Sequence, residues 1–106
     1  MDRQRIRHMV IFCLRHERGS REEEKFLADG QSILTSIPQV EQFEVLRQVS
    51  AKNDYDFGFS MEFADQAAYE AYNAHPAHVS FVRDRWETEV TRFLEIDFQA
   101  LAQERN

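Results

Sequence analysis

The chain has 106 residues, 42% of them hydrophobic, and its 19 acidic against 13 basic side chains leave a formal charge of -6; this is enough for a single domain over 1–106 around one core, with an ordered core expected over about 5–99. The acidic balance leaves no broad basic face for phosphate backbones, so no nucleic-acid partner is expected. The lone Cys13 has no partner for an internal disulfide, and the first apolar run is interrupted by His8, which argues against a signal peptide or membrane span and for a reducing, cytoplasmic setting.

Ile6–Leu14 has few polar breaks and many branched or aromatic side chains, the pattern of a strand buried on much of both faces. Ser20 with Glu23 makes a capping box, and Phe26, Leu27, Ile33, Leu34 and Ile37 form an apolar stripe, predicting a helix over 21–37 that Pro38 stops. A second strand is expected over 42–49, with Phe43, Val45 and Val49 on one side. After a turn at 52–54, Tyr55, Phe57, Phe59, Met61 and Phe63 alternate with polar or small residues, the clearest period-two run in the chain. Asp65 can cap a helix over 66–74, Pro76 forces a kink at His75, a shorter helix over 77–87 follows, and 90–98 supplies the last strand.

The order strand, helix, strand, strand, helix, strand predicts an α+β, ferredoxin-like βαββαβ sandwich with a four-stranded antiparallel sheet. Helices on one side leave the other face of the sheet uncovered. With apolar rings to spare on the third strand and apolar side chains pointing both ways from the first, a second copy of the chain is the expected cover. The nine Phe, three Tyr and one Trp favour a lined cavity or a buried interface.

The segment Tyr72-Asn73-Ala74-His75-Pro76-Ala77-His78-Val79 holds a phenol and two of the four histidines. A phenol and an imidazole facing one pocket can steady an oxyanion and move a proton near neutral pH. Each also has an ordinary structural use: Tyr72 as a core ring with a polar tip, His78 as a partner for main-chain groups at the kink. His75, before the proline, reads as a capping residue. His8, in an apolar strand, needs partners for its ring nitrogens, in a pocket or at a carboxylate such as Asp97. His8, His75 and His78 do not share a metal-ligand spacing, and no metal or other cofactor is expected.

These residues carry a family resemblance. Ile6-Arg7-His8-Met9-Val10, the strand over 55–63, the His-Pro-Ala-His core, Phe81 and Trp86 in the next helix and Ile96-Asp97-Phe98 together resemble the stress-responsive A/B barrel domain (Dabb) family of the dimeric α/β-barrel superfamily. The resemblance implies a homodimer whose sheets pair into a barrel, with a pocket between each protomer's sheet and helices. It implies several activities rather than one. A plant polyketide cyclase of this type performs an aldol closure with the residues matching Tyr72 and His78, and its first-strand histidine, matching His8, lines the pocket. Other members are stable stress proteins with no accepted reaction, and the wider superfamily includes cofactor-free monooxygenases and haem-degrading enzymes.

On that basis His78 and Tyr72 are the candidate catalytic pair and His8, Phe57, Phe81 and Trp86 the candidate pocket residues. Phe57 stands where the cyclase type carries a histidine, so the polar inventory is smaller. The expected function is binding or processing of a carbonyl-bearing small molecule, by aldol-type cyclisation or a lyase reaction if catalytic; the alternative is a non-catalytic, stable dimeric stress protein.

Overall fold

The alternation of Ile6, His8, Val10, Phe12 and Leu14 with less buried neighbours makes β1 (Ile6–Leu14) a two-sided strand, and it takes an interior place in the sheet. The computed structural model describes residues 4–101. After β1 come α1 (Arg21–Thr35), β2 (Glu41–Arg47), β3 (Phe57–Phe63), α2 (Gln66–Ala74), α3 (Pro76–Phe81), a π-helical turn (Val82–Trp86), α4 (Glu87–Glu89) and β4 (Val90–Phe98). The strands pair antiparallel in the order β2-β3-β1-β4. This is the expected α+β, ferredoxin-like arrangement.

Local chemistry sets most boundaries. Ser20 accepts a hydrogen bond from the Glu23 amide, while the Glu23 carboxylate accepts one from the Gly19 amide rather than from Ser20 as an ideal capping box would. α1 ends at Thr35, before the expected Ile37, because the Ser36 amide and hydroxyl both turn back to Ile33 O. β2 stops at Arg47 and β3 starts at Phe57, since the Gln48 side chain donates to Tyr55 O at 2.7 Å and holds the connection as a loop. Val49 therefore lies outside the strand and is 87% exposed, while Phe43 and Val45 do pack on the core. Between Glu41 and Glu44 the ladder takes up one extra residue, and Gln42 carries the positive φ of 53° that this bulge uses.

The rings of β3 correct one expectation. Phe57, Phe59, Met61 and Phe63 share a face with Val10 and Phe12 through the β1–β3 register, and all of them are buried in the core beneath the helices. None is left for the outer face, where β3 presents Gly58, Ser60 and Glu62. The outer apolar surface comes instead from Met9 and Ile11 of β1 with Leu94, Ile96 and Phe98 of β4, which the β1–β4 register places side by side. Leu94 and Phe98 are about half exposed. At one end of this face Arg5 and Arg7 pair with Glu62, and Arg5 also with Glu41, in a groove of about 550 Å³.

α1 lies close to the sheet because Gly30 has no side chain. A Cβ there would come within 2.7 Å of Phe59 Cζ, so this helix position trades helix propensity for contact with the central ring.

Candidate functional site

Pro76 organises the site by removing one backbone donor at the end of α2. With no Pro76 N–H, Tyr72 O takes a hydrogen bond from the His75 amide at 3.1 Å. The Ala77 amide is capped by His75 Nδ1 at 3.0 Å, which makes His75 the capping residue expected. Asn73 O is then left to the His78 ring, whose Nδ1 donates to it at 3.2 Å. That bond fixes the proton on Nδ1 and leaves Nε2 of His78 as an acceptor.

The kink turns His78 back toward Tyr72, and the two ring centroids lie 4.4 Å apart. Both rings line a cavity of about 200 Å³ between the sheet and the helices. His8, Val10, Phe59 and Met61 form its floor, Phe81, Val82 and Trp86 one wall, and Phe93, Glu95 and Asn73 its rim. The π-helical turn, in which the Glu87 amide reaches Val82 O, presents both Val82 and Trp86 to this cavity. Outside the cavity Arg85, within the same turn, bridges Asp29 of α1 and Glu89, and His16 bonds Glu89 at 2.6 Å, which ties the turn to α1 and to the loop after β1.

His8 is 5% exposed and directly opposite Asp97 in the β1–β4 ladder. Its Nδ1 donates to Asp97 Oδ1 at 2.6 Å, and the Tyr69 hydroxyl donates to Asp97 Oδ2 at 2.9 Å while lying 3.1 Å from the same ring nitrogen. The carboxylate thus accepts from two side chains that belong to different elements. Tyr72 stands 6.3 Å from the His8 ring, centroid to centroid.

Burial sets the protonation states. It holds the His78 imidazole below its ordinary value, and it pushes the Tyr72 phenol well above the ordinary tyrosine range, with Tyr69 and Glu95 adding to the effect. Burial, then the Asp97 carboxylate, raises Tyr69 as well. At neutral pH Tyr72 is therefore a hydrogen-bond donor, and its hydroxyl has no protein partner among the described residues. His78 is neutral there, which has a stability consequence. The unfolded chain binds a proton at this histidine near pH 6.5, whereas the folded chain binds it only at lower pH. His78 thus favours the folded state fully above pH 6.5, and that contribution is lost as the pH falls through the folded value. Melting measured from pH 7.5 down to 5.5 is expected to decline, and His78→Gln to flatten that decline; an identical slope in the variant would refute the assignment.

Five of the six candidate residues, His8, Tyr72, His78, Phe81 and Trp86, line the cavity. Phe57 does not. It lies four residues along β3 from Met61, roughly 13 Å away, packed on Phe12 with the Arg47 guanidinium over its face. It is core, not pocket, because its place in the register faces Phe12 rather than His8. Tyr69, Asn73 and Glu95 also belong to the site, beyond the residues expected there. Tyr69 was legible as the residue one helical turn before Tyr72, and Glu95 as the residue two before Asp97 on the same strand face. Among the described residues, no group of three or more His, Cys, Asp or Glu is arranged to hold a metal, and no helix is long and apolar enough to cross a membrane.

A search among curated proteins returns no match. A crystal structure of a Dabb family protein with a ferredoxin-like fold from Mesorhizobium loti is 61% identical, covers 92% of this chain and 97% of its own, and superposes with a TM-score of 0.91. A dimeric ferredoxin-like protein of unknown function from Bacteroides fragilis, 17% identical over 92% of this chain and 97% of its own, gives 0.70. The hydroxynitrile lyase from Passiflora edulis, 10% identical over 93% and 95%, gives 0.80. The last two share the fold alone. The model of the stress responsive A/B barrel domain matches residues 6–100, and the chain belongs to that family.

Proposed function

We propose that the protein is a homodimer whose cavity binds a compact, uncharged carbonyl compound and promotes removal of a proton next to the carbonyl, the first half of an aldol-type closure. The observation that carries this reading is the pairing of Tyr72 and His78 at 4.4 Å in a small apolar cavity, with the phenol hydroxyl unpaired among the described residues and His78 Nε2 left as an acceptor. A cavity of about 200 Å³ suits one ring with a short arm, since about 150 Å³ suffices for benzene. No Lys or Arg lines it, and Glu95 does, so carboxylates and phosphates find repulsion rather than a counter-charge.

The step balances without a cofactor. The C–H bond next to the carbonyl breaks, its proton passes to His78 Nε2, and the electron pair moves onto the carbonyl oxygen, which accepts a hydrogen bond from Tyr72. The proton then returns to carbon, or goes to solvent. Acetophenone in D2O tests this directly by proton NMR: the protein is expected to speed loss of the methyl signal, and His78→Gln to slow it about 10²-fold, while benzoate fails to compete for the site. No acceleration over buffer by the unaltered protein would sink the reading. The second reading, a non-catalytic stable dimer, draws on the bond from His78 to Asn73 O; it requires His78→Gln to lower melting and leave exchange untouched.

The homodimer rests on the uncovered apolar strip of Met9, Ile11, Leu94, Ile96 and Phe98, and on the dimeric relative of the same fold. A sheet face of this kind is most simply covered by its own copy about a two-fold axis. Sedimentation at micromolar concentration is expected to give a dimer that Ile11→Glu splits. A monomeric unaltered protein would overturn it.

A further inference from the structure

The mechanism above uses one imidazole, yet the cavity holds two, and the second is the better oriented. His8 is buried on the floor of the cavity. Its Nδ1 is committed to Asp97 Oδ1 at 2.6 Å, and the other carboxylate oxygen is committed to the Tyr69 hydroxyl at 2.9 Å. An ionised carboxylate only accepts, so Nδ1 of His8 carries a proton, and in the neutral ring the lone pair is the one on Nε2. That nitrogen has no protein partner among the described residues. A base whose far nitrogen is held by a carboxylate, itself steadied by a third group, is the arrangement that fixes both tautomer and ring direction in proton-transfer sites.

We propose that His8 is a second proton acceptor of this cavity, and that Asp97 and Tyr69 are positioning residues which hold its Nε2 toward the ligand. The inference rests on the acid-base reading of the cavity given above. It adds a second base to that reading, since the Tyr72 ring lies 4.4 Å from that of His78 and 6.3 Å from that of His8, centroid to centroid. A ketone whose oxygen is held by the Tyr72 hydroxyl can be bound with its hydrogen-bearing carbon on either side of the carbonyl. The cavity then offers a basic nitrogen from β1 and another from α3. The step at His8 balances as at His78: a C–H bond next to the carbonyl breaks, the proton goes to His8 Nε2, and the electron pair moves to the oxygen that Tyr72 holds. The ligand class this favours is a compact ketone with a hydrogen-bearing carbon beside its carbonyl.

Asp97→Asn is the informative change. An asparagine amide can donate to Nδ1, which drives the His8 proton to Nε2 and removes the lone pair from the cavity without removing the ring. Nitrogen-15 NMR of the imidazoles is expected to show His8 protonated on Nδ1 in the unaltered protein and on Nε2 in Asp97→Asn. Unchanged His8 signals would overturn the positioning role. In the acetophenone exchange assay, His78→Gln should keep a residual rate above buffer, and adding Asp97→Asn should lower that residue at least tenfold. Equal rates for His78→Gln and the double variant would overturn His8 as a base while leaving the His78 reading intact. No exchange by the unaltered protein would overturn both. Tyr69→Phe guards against a folding defect in Asp97→Asn: it keeps the carboxylate and is expected to lower the residual rate several-fold with an unchanged melting temperature, and no change in rate would count against the triad.

Discussion

Truncation of Phe59 to alanine is expected to remove about 3–5 kcal/mol of stability, the range for a buried aromatic. Phe59 has no exposed surface and stands at the meeting point of the core rings. Its centroid is 4.9 Å from Phe12, 5.3 Å from Phe43 and 6.4 Å from the stacked ring of Phe26. Two features prevent the surroundings from collapsing into the space. β3 is held by ladders on both sides, and α1 already touches the ring through Gly30, which has no side chain to move inward. Phe59 also lines the cavity, so its loss joins a new void to an existing one. Urea unfolding of the two proteins measures the difference; a loss below about 1.5 kcal/mol would show that the core repacks and that the close approach at Gly30 is not a constraint.

Tyr72→Phe should do the opposite, with a large effect on chemistry and little on stability. The ring makes the contacts that matter for packing, with Phe63 at 4.9 Å and His78 at 4.4 Å, and phenylalanine keeps them. The hydroxyl has no protein partner among the described residues, so its removal breaks no hydrogen bond in the fold and is expected to shift stability by less than about 1 kcal/mol. In the exchange assay it is the donor to the developing oxyanion, and loss of one such donor typically costs about 10²–10³-fold in rate. A variant with unchanged exchange would remove Tyr72 from the chemistry and leave it as a core tyrosine. A variant with a strongly lowered melting temperature would show that the hydroxyl serves the fold.

Much of the architecture was legible because it is local. The span of β1, the Asp65 cap, the helix over 66–74, the kink at His75 and the span of β4 follow from side-chain period, a capping carboxylate and a proline that lacks an amide proton. The structure departs from the local pattern where non-local contacts compete with it. Tyr55 continues the alternation of β3, yet its carbonyl is taken by Gln48 and the strand starts later. Phe57 continues the aromatic face, yet its register partner is Phe12 rather than His8, which removes it from the pocket.

By itself the sequence determined the order of elements and the residues of the kink, because hydrophobic period and proline chemistry act within a few positions. Only the tertiary structure decided that the β3 rings all turn inward, that β4 supplies the outer apolar strip, and that His8, for which the sequence offered a pocket or Asp97, takes both, with Asp97 on Nδ1 and the ring at the cavity. Those outcomes depend on strand register, and a one-residue slip would exchange the two faces of the sheet. Register is set by packing over the whole core, so the choice among the partners open to the buried histidine is made only once β1 and β4 lie side by side.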